Sequence, residues 1–180
     1  HLFAWQPSAQ FMDYYERALY NHILASQNPE NGMMTYFVPL RMGTKKQFSD
    51  QFNTFTCCVG SGIENHAKYA EQIYSHDGKN LLYVNLFIPS ELNWKEKGIV
   101  VKQQTNFPKA GSTQLTLNTA NPVSMPISIR YPSWATNVEV KVNGKKQTIK
   151  AKSGNYIVLD RKWDNGDTIE ISFDMQIKVN

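Results

Sequence analysis

The spacing of hydrophobic residues changes from a helical period to an alternating one near residue 80. In residues 8–26 the apolar positions recur every three or four residues, which predicts one amphipathic helix with Ser8 as its N-cap. The predicted apolar face consists of Phe11, Tyr15, Ala18, Leu19, His22 and Ile23. The turn-forming residues of 28–32 are expected to end this helix.

A second helix is predicted from Ser61 to about Tyr74. Ser61 and Glu64 have the spacing of a capping box, in which each side chain bonds the backbone N–H of the other residue. Residues 33–38 are apolar and aromatic, which favours a short extended segment. Residues 39–56 have no hydrophobic period, so we expect a long loop, and loops of this length in compact domains are usually functional.

After residue 80, short apolar runs alternate with turn residues, as in antiparallel β-sandwiches. The pair Asn143-Gly144 separates two such runs and predicts a two-residue hairpin turn with positive φ angles. The predicted strands are residues 82–88, 99–105, 114–118, 127–131, 138–142, 147–150, 156–159 and 168–173. We therefore expect an α+β chain of two parts, with helices over residues 1–78 and an antiparallel β-sandwich over residues 79–180.

The helical part is expected to belong to a larger helical domain. Two amphipathic helices cannot bury both of their apolar faces, and several aromatic residues cluster close to the first helix. These aromatic residues are Phe3, Trp5, Phe11, Tyr14 and Tyr15. The chain also starts on apolar residues without an initiator methionine, so we expect a segment of a longer protein.

Composition and charge limit the classes of protein to which the chain can belong. A hydrophobic fraction of 41% is typical of a globular chain with a core. The formal net charge is +4, but the Lys and Arg residues are scattered, which favours solvated faces over a nucleic-acid groove. No apolar run is long enough to cross a bilayer, and a single pair of cysteines does not indicate a disulfide scaffold.

The two cysteines of the chain, Cys57 and Cys58, are adjacent and precede a Gly-Ser-Gly sequence. Neighbouring cysteines are poor disulfide partners because their side chains diverge. Two thiols just before a helix N-terminus are better placed to bind a soft metal or to expose a reactive thiolate, since the helix dipole favours negative charge there. A purely structural interpretation, two buried inert thiols, is equally open at this point.

Three further side chains are candidates for chemistry. Glu16 is flanked by aromatic residues, and desolvation there would raise its pKa towards acid/base use, whereas a solvated carboxylate paired with a cation is the simpler interpretation. Glu64 has its capping role as a sufficient explanation. His66 is close enough in sequence to face Cys57 or Cys58, and His22 fits a core histidine.

Three blocks of the sequence resemble glycoside hydrolase families 127 and 146, the β-L-arabinofuranosidases. The blocks are residues 1–5, 14–24 and 57–68, in this order. The Cys-Cys-Val-Gly-Ser-Gly form of the third block resembles family 146 more than family 127. The resemblance spans the whole chain as the C-terminal part of such enzymes. It implies the last helices of an (α/α)6 barrel followed by a β-sandwich.

The resemblance also implies a mechanism that differs from the usual pair of glycosidase carboxylates. In these families a zinc-bound cysteine thiolate attacks the anomeric carbon, and a thioglycosyl intermediate leads to retention. By position in the motif, Cys57 matches the nucleophile and a zinc ligand, and Cys58 matches a further zinc ligand. Glu16 matches a glutamate that supports the active site. Glu64 and His66 match the family pattern as candidates for contacts with the substrate or around the metal.

The other site residues of these families lie upstream of the blocks present here. A Glu-x-Cys pair completes the zinc site, and the acid/base glutamate precedes it. The isolated chain is therefore expected to be inactive and to bind zinc weakly or not at all. The resemblance implies arabinose-containing plant glycans as substrates and a periplasmic or extracellular setting. Unpartnered helical faces are expected to favour self-association.

Two other classes of function remain open on the sequence. The chain would be a carbohydrate-binding or structural sandwich module if its aromatic residues stacked on sugars instead of packing in a core. The candidates for such stacking are Trp94, Tyr131, Trp134 and Trp163. A dithiol metal or redox protein is disfavoured because adjacent cysteines lack the Cys-x-x-Cys spacing of thiol oxidoreductases.

Overall fold

A computed structural model of the protein describes residues 2–54 and 57–176. The chain forms two compact units. One unit comprises the residues up to Asp13 together with those from Gln72 onwards, and the other comprises Tyr14–Glu71. The predicted division of the chain at residue 78 stays a prediction.

The first predicted helix is confirmed, as three consecutive helical segments. A short helix, α1 (Leu2–Trp5), precedes it. Helix α2 (Ala9–Ala18) then continues as a π-helical segment, Leu19–Ile23, and a 3₁₀ segment, Leu24–Ser26. Ser8 is the predicted N-cap, since its Oγ accepts a hydrogen bond from the backbone N–H of Gln10 at 3.3 Å.

The buried stripe of this helix shares only Leu19 with the predicted one. Ala9, Met12, Glu16 and Leu19 are buried, whereas Phe11, Tyr15, Ala18 and Ile23 are only partly buried and His22 is exposed. The observed stripe also has helical spacing, so the period alone fits both faces. Packing selects a stripe that includes a carboxylate, Glu16, at 6% exposure.

The second predicted helix begins four residues earlier than expected. Helix α3 spans Cys57–Ala67, and α4 spans Ala70–Ile73. The predicted capping box is wrong, because Ser61 lies inside α3 and its Oγ donates a hydrogen bond to the Cys57 carbonyl oxygen at 3.5 Å. The Gly-Ser-Gly sequence is thus helical, and on this helix Ile63 is exposed.

The loop expected over residues 39–56 is confirmed as far as residue 54, and residues 55 and 56 lie outside the described chain. The segment expected to be extended, 33–38, forms two isolated β-bridges instead of a strand. Met34 pairs with Gln27, and Thr35 pairs with Phe48.

Two sheets form the larger unit and enclose its core. The strands are β1 (Tyr74–His76), β2 (Leu82–Val84), β3 (Ser90–Trp94), β4 (Ile99–Thr105), β5 (Ser112–Thr119), β6 (Val123–Tyr131), β7 (Val138–Val142), β8 (Lys145–Lys146), β9 (Asn155–Trp163) and β10 (Thr168–Phe173). One sheet has the order β1-β2-β6-β9 and the other β3-β4-β5-β10-β7-β8. Buried side chains of both sheets pack in a single cluster, as expected for a β-sandwich.

Most of the strand predictions are confirmed, with four corrections. The strand predicted over residues 82–88 ends at Val84. The sandwich is not entirely antiparallel, because β2 and β6 pair in parallel. Strands β1 and β3 were not predicted, since three to five residues with partial burial give no clear alternation. Residues 147–150 do not form a strand, because the hairpin partner of β7 ends at Lys146. The hairpin turn itself is confirmed, with φ angles of 51° at Asn143 and 73° at Gly144.

A buried ion pair lies within this unit. The side chain of Arg130 is fully buried and its Nη1 lies 2.5 Å from Asp13 Oδ1. Its Nε donates to the Asn85 carbonyl oxygen at 2.6 Å, and its guanidinium lies over the ring of Phe87. Tyr156 donates a hydrogen bond to the side-chain oxygen of the same Asn85 at 2.6 Å. These contacts supply the partners that a buried charge requires.

Candidate functional site

The candidate site consists of two thiols in the first turn of α3. Cys57 and Cys58 are free and exposed, and their Sγ atoms lie 3.9 Å apart. The expectation that the thiols precede the helix is therefore wrong, as is the interpretation of two buried, inert side chains. Exposure and neighbouring sulfurs allow both thiols to contact the same ligand.

Tyr36 is a third member of the site, and sequence reasoning missed it. A hydrogen bond with Cys58 raises the pKa of the Tyr36 phenol, and the negative charges of Cys58 and Cys57, when ionised, raise it further. These effects indicate that the hydroxyl is near both sulfurs, although Tyr36 is 21 residues upstream of Cys57 in the sequence. The sole signal in the sequence is an aromatic residue before a long loop, which does not distinguish Tyr36 from Phe37.

The spacing of the two sulfurs fits a zinc ion. Two thiolates that bind one tetrahedral zinc ion, each at ~2.3 Å, have sulfur atoms ~3.8 Å apart. The 3.9 Å between Cys57 Sγ and Cys58 Sγ is close to that value. Within residues 2–54 and 57–176, however, no group of three or more His, Cys, Asp or Glu side chains is placed to hold a metal. The described chain therefore offers two thiols as its contribution to such a site.

The loop that leads to the cysteines is held by Asp50. Its carboxylate oxygen Oδ1 accepts hydrogen bonds from the backbone N–H groups of Asn53 at 2.5 Å, Phe52 at 2.9 Å and Thr54 at 3.2 Å, and Oδ2 accepts one from the Thr54 hydroxyl at 2.7 Å. These bonds, that of Asn53 foremost, lower the pKa of Asp50 to about 2. The turn is thus stabilised by an ionised carboxylate at neutral pH.

A cavity of about 480 Å³ opens beside Tyr36. It lies between the loop and α3, and its wall is largely apolar with a few polar groups, as is typical of small-molecule sites. Residues that line it include Met34, Tyr36, Phe37, Phe48, Thr54 and Val59. A ligand in this cavity would lie next to Tyr36, whose pKa the two cysteines raise.

Glu16 is buried on α2, where it occupies one position of the buried stripe. A carboxylate with 6% exposure is unusual, because charged side chains are seldom buried without a partner or a role. The interpretation of Glu16 as a solvated carboxylate is therefore wrong. Its burial is compatible with the supporting role that the resemblance implies.

Glu64 and His66 lie on α3 but contact other groups. Glu64 is exposed, and its charge helps to raise the pKa of Lys68, after the larger effect of Glu71. The Nδ1 atom of His66 shares a hydrogen bond of 2.6 Å with the Tyr69 hydroxyl. Its Nε2 atom is buried without a hydrogen-bond partner among the described residues. The contacts found for Glu64 and His66 are thus with groups other than the two sulfurs, whereas the cysteines affect the pKa of Tyr36.

The aromatic residues proposed for sugar stacking have different environments. Trp163 is fully buried and Tyr131 is 7% exposed, so both belong to the core of the sandwich. Trp134 is partly buried and stacks on Phe107 with ring centroids 5.8 Å apart. Trp94 is partly exposed and lines a surface cleft. Among the four, Trp94 therefore remains the best candidate for contact with a ligand.

No helix in the part of the chain that the structure describes is both long and apolar enough to span a membrane.

Comparisons with protein families match both parts of the chain. Residues 1–71 match the model described as β-L-arabinofuranosidase, GH127 catalytic domain. Residues 81–175 match the model described as β-L-arabinofuranosidase, GH127 middle domain. The matched models are those of family 127, and the closer resemblance of the cysteine block to family 146 stays a prediction. A comparison with curated proteins finds no significant match.

Solved structures share the fold over nearly the whole chain. A GH127 β-L-arabinofuranosidase from Geobacillus stearothermophilus T6 matches with a TM-score of 0.84 and 24% identity over 98% of this chain. A GH127 β-arabinofuranosidase matches with a TM-score of 0.82 and 25% identity over 96% of it, and a glycoside hydrolase with 0.81 and 23% over 97%. The chain spans 30–31% of the length of these three structures.

Proposed function

The chain belongs to the β-L-arabinofuranosidase family GH127, and we propose that it is the part of a retaining glycoside hydrolase that carries the nucleophile. The observation that supports this proposal best is the pair of exposed thiols, 3.9 Å apart, with the Tyr36 hydroxyl beside them. The substrate class proposed for the full-length protein is arabinose-containing plant glycans.

Cys57 is the proposed nucleophile. Its sulfur attacks the anomeric carbon, a carbon–sulfur bond forms, and the bond to the leaving oxygen breaks with its electron pair on that oxygen. A proton from an acid outside this chain completes the departure of the leaving group. Water then attacks the same carbon from the side opposite the sulfur and gives a proton back to the group that acted as acid. The carbon–sulfur bond breaks with its electrons on sulfur, and the sugar leaves with retained configuration.

Cys57 and Cys58 are the residues that would hold zinc. Bound zinc keeps its cysteine ligands ionised at neutral pH and fixes their direction. Cys58 would be a second zinc ligand, and the Cys57 sulfur would remain directed at the sugar. The Tyr36 hydroxyl, whose pKa both cysteines raise, would donate a hydrogen bond to a thiolate and so limit the directions in which it points.

Glu16 is proposed to support the site from a buried position on α2. Buried polar groups on regular elements are held in fixed orientations, which is what positioning a sugar or a thiolate requires. Glu64 and His66 remain candidates for contacts with the substrate or around the metal, and the unpartnered Nε2 of His66 is the group in this pair that is available for such a contact.

The 180-residue chain by itself is proposed to be inactive. Zinc normally takes four ligands, and the described residues contribute two thiols to such a site. Zinc that is held by two ligands is easily lost, and without an acid the leaving group departs slowly. We further propose a periplasmic or extracellular setting for the full-length protein. Self-association is proposed for the isolated chain, whose exposed apolar side chains include Phe37, Leu40, Met42 and Phe52.

The decisive experiment compares Cys57→Ser and Cys57→Ala with the unchanged full-length protein on an aryl β-L-arabinofuranoside. Both substitutions are expected to lower kcat/KM by roughly 10³-fold or more, since neither a hydroxyl nor a methyl group replaces the thiolate as nucleophile. Mass spectrometry of protein quenched during turnover should find a glycosyl adduct on the peptide that contains Cys57. Ser61→Ala, on the same helix, serves as the control and is expected to keep its activity.

Three results would overturn the proposal. The assignment of Cys57 fails if Cys57→Ala retains turnover, or if the adduct is found on a carboxylate. The inactivity of the isolated chain fails if the 180-residue chain binds about one zinc ion and hydrolyses the substrate.

A further inference from the structure

We propose that a cleft between the free edges of the two sheets binds an acidic sugar unit of a glycan. In the sheets that the described residues form, β1 is one of the two edge strands of its sheet and β3 is one of the two edge strands of the other. The cleft between them has a volume of about 480 Å³, within the range of small-molecule sites. It is remote in sequence from Cys57 and lies entirely within the sandwich unit.

The inner wall of the cleft is apolar. It is formed by Tyr74 of β1, Leu82 of β2, and Leu92 and Trp94 of β3. Leu82 is fully buried, while the other three are partly exposed. Such a wall suits the C–H faces of a sugar ring, which pack well on an indole.

Two side chains that can donate hydrogen bonds, those of His76 and Lys97, lie close to the Trp94 ring. The imidazole of His76 lies against it, with ring centroids 5.3 Å apart, and the Lys97 ammonium lies 5.8 Å from the ring centre. The Nδ1 atom of His76 accepts the backbone N–H of Gly78 at 3.0 Å. In the neutral ring the proton is therefore on Nε2, which gives the cleft an N–H donor next to the indole.

The charges that line the cleft favour an anion. Lys79 and Lys97 contribute two ammonium groups, and Glu96 contributes one carboxylate. Asn93 adds an amide that both donates and accepts hydrogen bonds. Two cations against one anion in the lining of the cleft attract a ligand that carries a single carboxylate.

A sugar acid combines the features that this cleft recognises. Its ring packs on the apolar wall, its hydroxyls bond Asn93, the His76 N–H and the unpaired edges of β1 and β3, and its carboxylate pairs with Lys79 or Lys97. The choice of a sugar over another small acid rests on the proposed function. The cleft would thus hold a uronate unit of the glycan whose arabinose is cleaved elsewhere in the protein.

Binding is best measured on the full-length protein with Cys57→Ser, so that it does not depend on catalysis. A trimer of galacturonic acid is the acidic probe and a neutral arabinofuranose trimer is its comparison, both by isothermal titration calorimetry. We expect the acidic trimer to bind at least about tenfold more tightly than the neutral one, and to bind more weakly as salt is added.

Substitutions test whether the acidic trimer binds in this cleft or on another surface of the protein. Trp94→Ala and Lys97→Gln are each expected to weaken binding of the acidic trimer by about tenfold. Lys97→Gln changes a side chain outside the core, so its effect does not depend on folding. Lys109→Gln removes an exposed charge away from the cleft and is expected to have no effect.

Each alternative outcome contradicts a different part of the proposal. Equal binding of both trimers would refute the assignment of an acidic sugar. Absence of saturable binding, or binding that Trp94→Ala and Lys97→Gln both leave unchanged, would refute the site. Because Cys57→Ser is used in every measurement, the binding results do not depend on whether the protein is the proposed hydrolase.

Discussion

Gly62 of α3 lies so close to Met34 that a Cβ atom at Gly62 would stand 2.8 Å from the Met34 Cε atom. This contact connects the helix that carries the thiols to the segment that carries Tyr36. A side chain at this position would displace the flexible end of Met34, whereas glycine lowers the intrinsic stability of the helix.

Replacing Gly62 by Ala is expected to change the stability of the protein little. The added methyl group gains ~1 kcal/mol of helix propensity, and the atom that it meets, Met34 Cε, is the end of a flexible side chain that borders a cavity. The free energy of unfolding should change by less than ~1 kcal/mol in chemical denaturation. Ser61→Ala is the matched control, since Ser61 is exposed on the same helix, and we expect a change within ~0.5 kcal/mol. A loss of more than ~2 kcal/mol in Gly62→Ala alone would show that Met34 cannot move aside.

Removing the two sulfurs is expected to lower the pKa of Tyr36. The hydrogen bond with Cys58 and the charges of both thiolates hold this pKa above its ordinary value. In the protein with both Cys57→Ala and Cys58→Ala, the phenol should titrate closer to its ordinary pKa of ~10. The measurement is an NMR titration of ring-labelled tyrosine, with Tyr14, which is 75% exposed, as the internal control. An unchanged Tyr36 titration would show that the hydroxyl does not contact the sulfurs.

The turn at Asp50 is expected to loosen in strong acid. Because the pKa of this carboxyl is about 2 in the folded chain, below its unfolded value of 3.8, its stabilising effect is complete above pH 3.8. The effect is lost as the pH falls through about 2. Amide hydrogen exchange of Phe52, Asn53 and Thr54 should therefore increase, relative to the rest of the chain, between these pH values.

Asp50→Asn is the matching substitution for this turn. It should give fast exchange at the same three amides already at neutral pH and remove the acid-dependent step. Equal protection of these amides in Asp50→Asn and in the unchanged protein would contradict the role of the carboxylate charge.

Removing Asp13 is expected to destabilise the sandwich unit strongly. The substitution Asp13→Ala removes the carboxylate whose Oδ1 lies 2.5 Å from Nη1 of the fully buried Arg130, and the cost of breaking a buried pair is ~3 kcal/mol or more. The double substitution Asp13→Ala with Arg130→Met, which removes both charges, should cost less. Lys146→Ala breaks the exposed pair with Glu139 and should change the unfolding midpoint little. Equal effects of the buried and the exposed substitution would contradict this account.

The sequence predicted the regular elements best where the signal is local. The strands Ile99–Thr105, Val138–Val142 and Thr168–Phe173 begin and end as predicted, and the turn at Asn143 and Gly144 has the predicted φ angles. These features depend on alternation and on residues that tolerate positive φ, both of which are properties of a few neighbouring residues.

Predictions failed where distant parts of the chain decide the outcome. The start of α3 was placed at Ser61 because Ser61 and Glu64 have capping-box spacing, but the helix begins at Cys57 and the Ser61 hydroxyl bonds the Cys57 carbonyl. The buried stripe of α2 was placed one position away, since two stripes fit the same period. Similarly, nothing in the sequence distinguished the buried Trp163 from Trp94 in its cleft.

The sequence by itself determined the adjacent thiols, the family and the change from helices to strands, because these follow from residue identity and from short periodic patterns. Only the tertiary structure decided that the sulfurs lie 3.9 Å apart in a helical turn, that Tyr36 stands beside them, and that Glu16 is buried. The physical reason is that local preferences act over a few residues, whereas side-chain contacts depend on how segments far apart in the chain pack together.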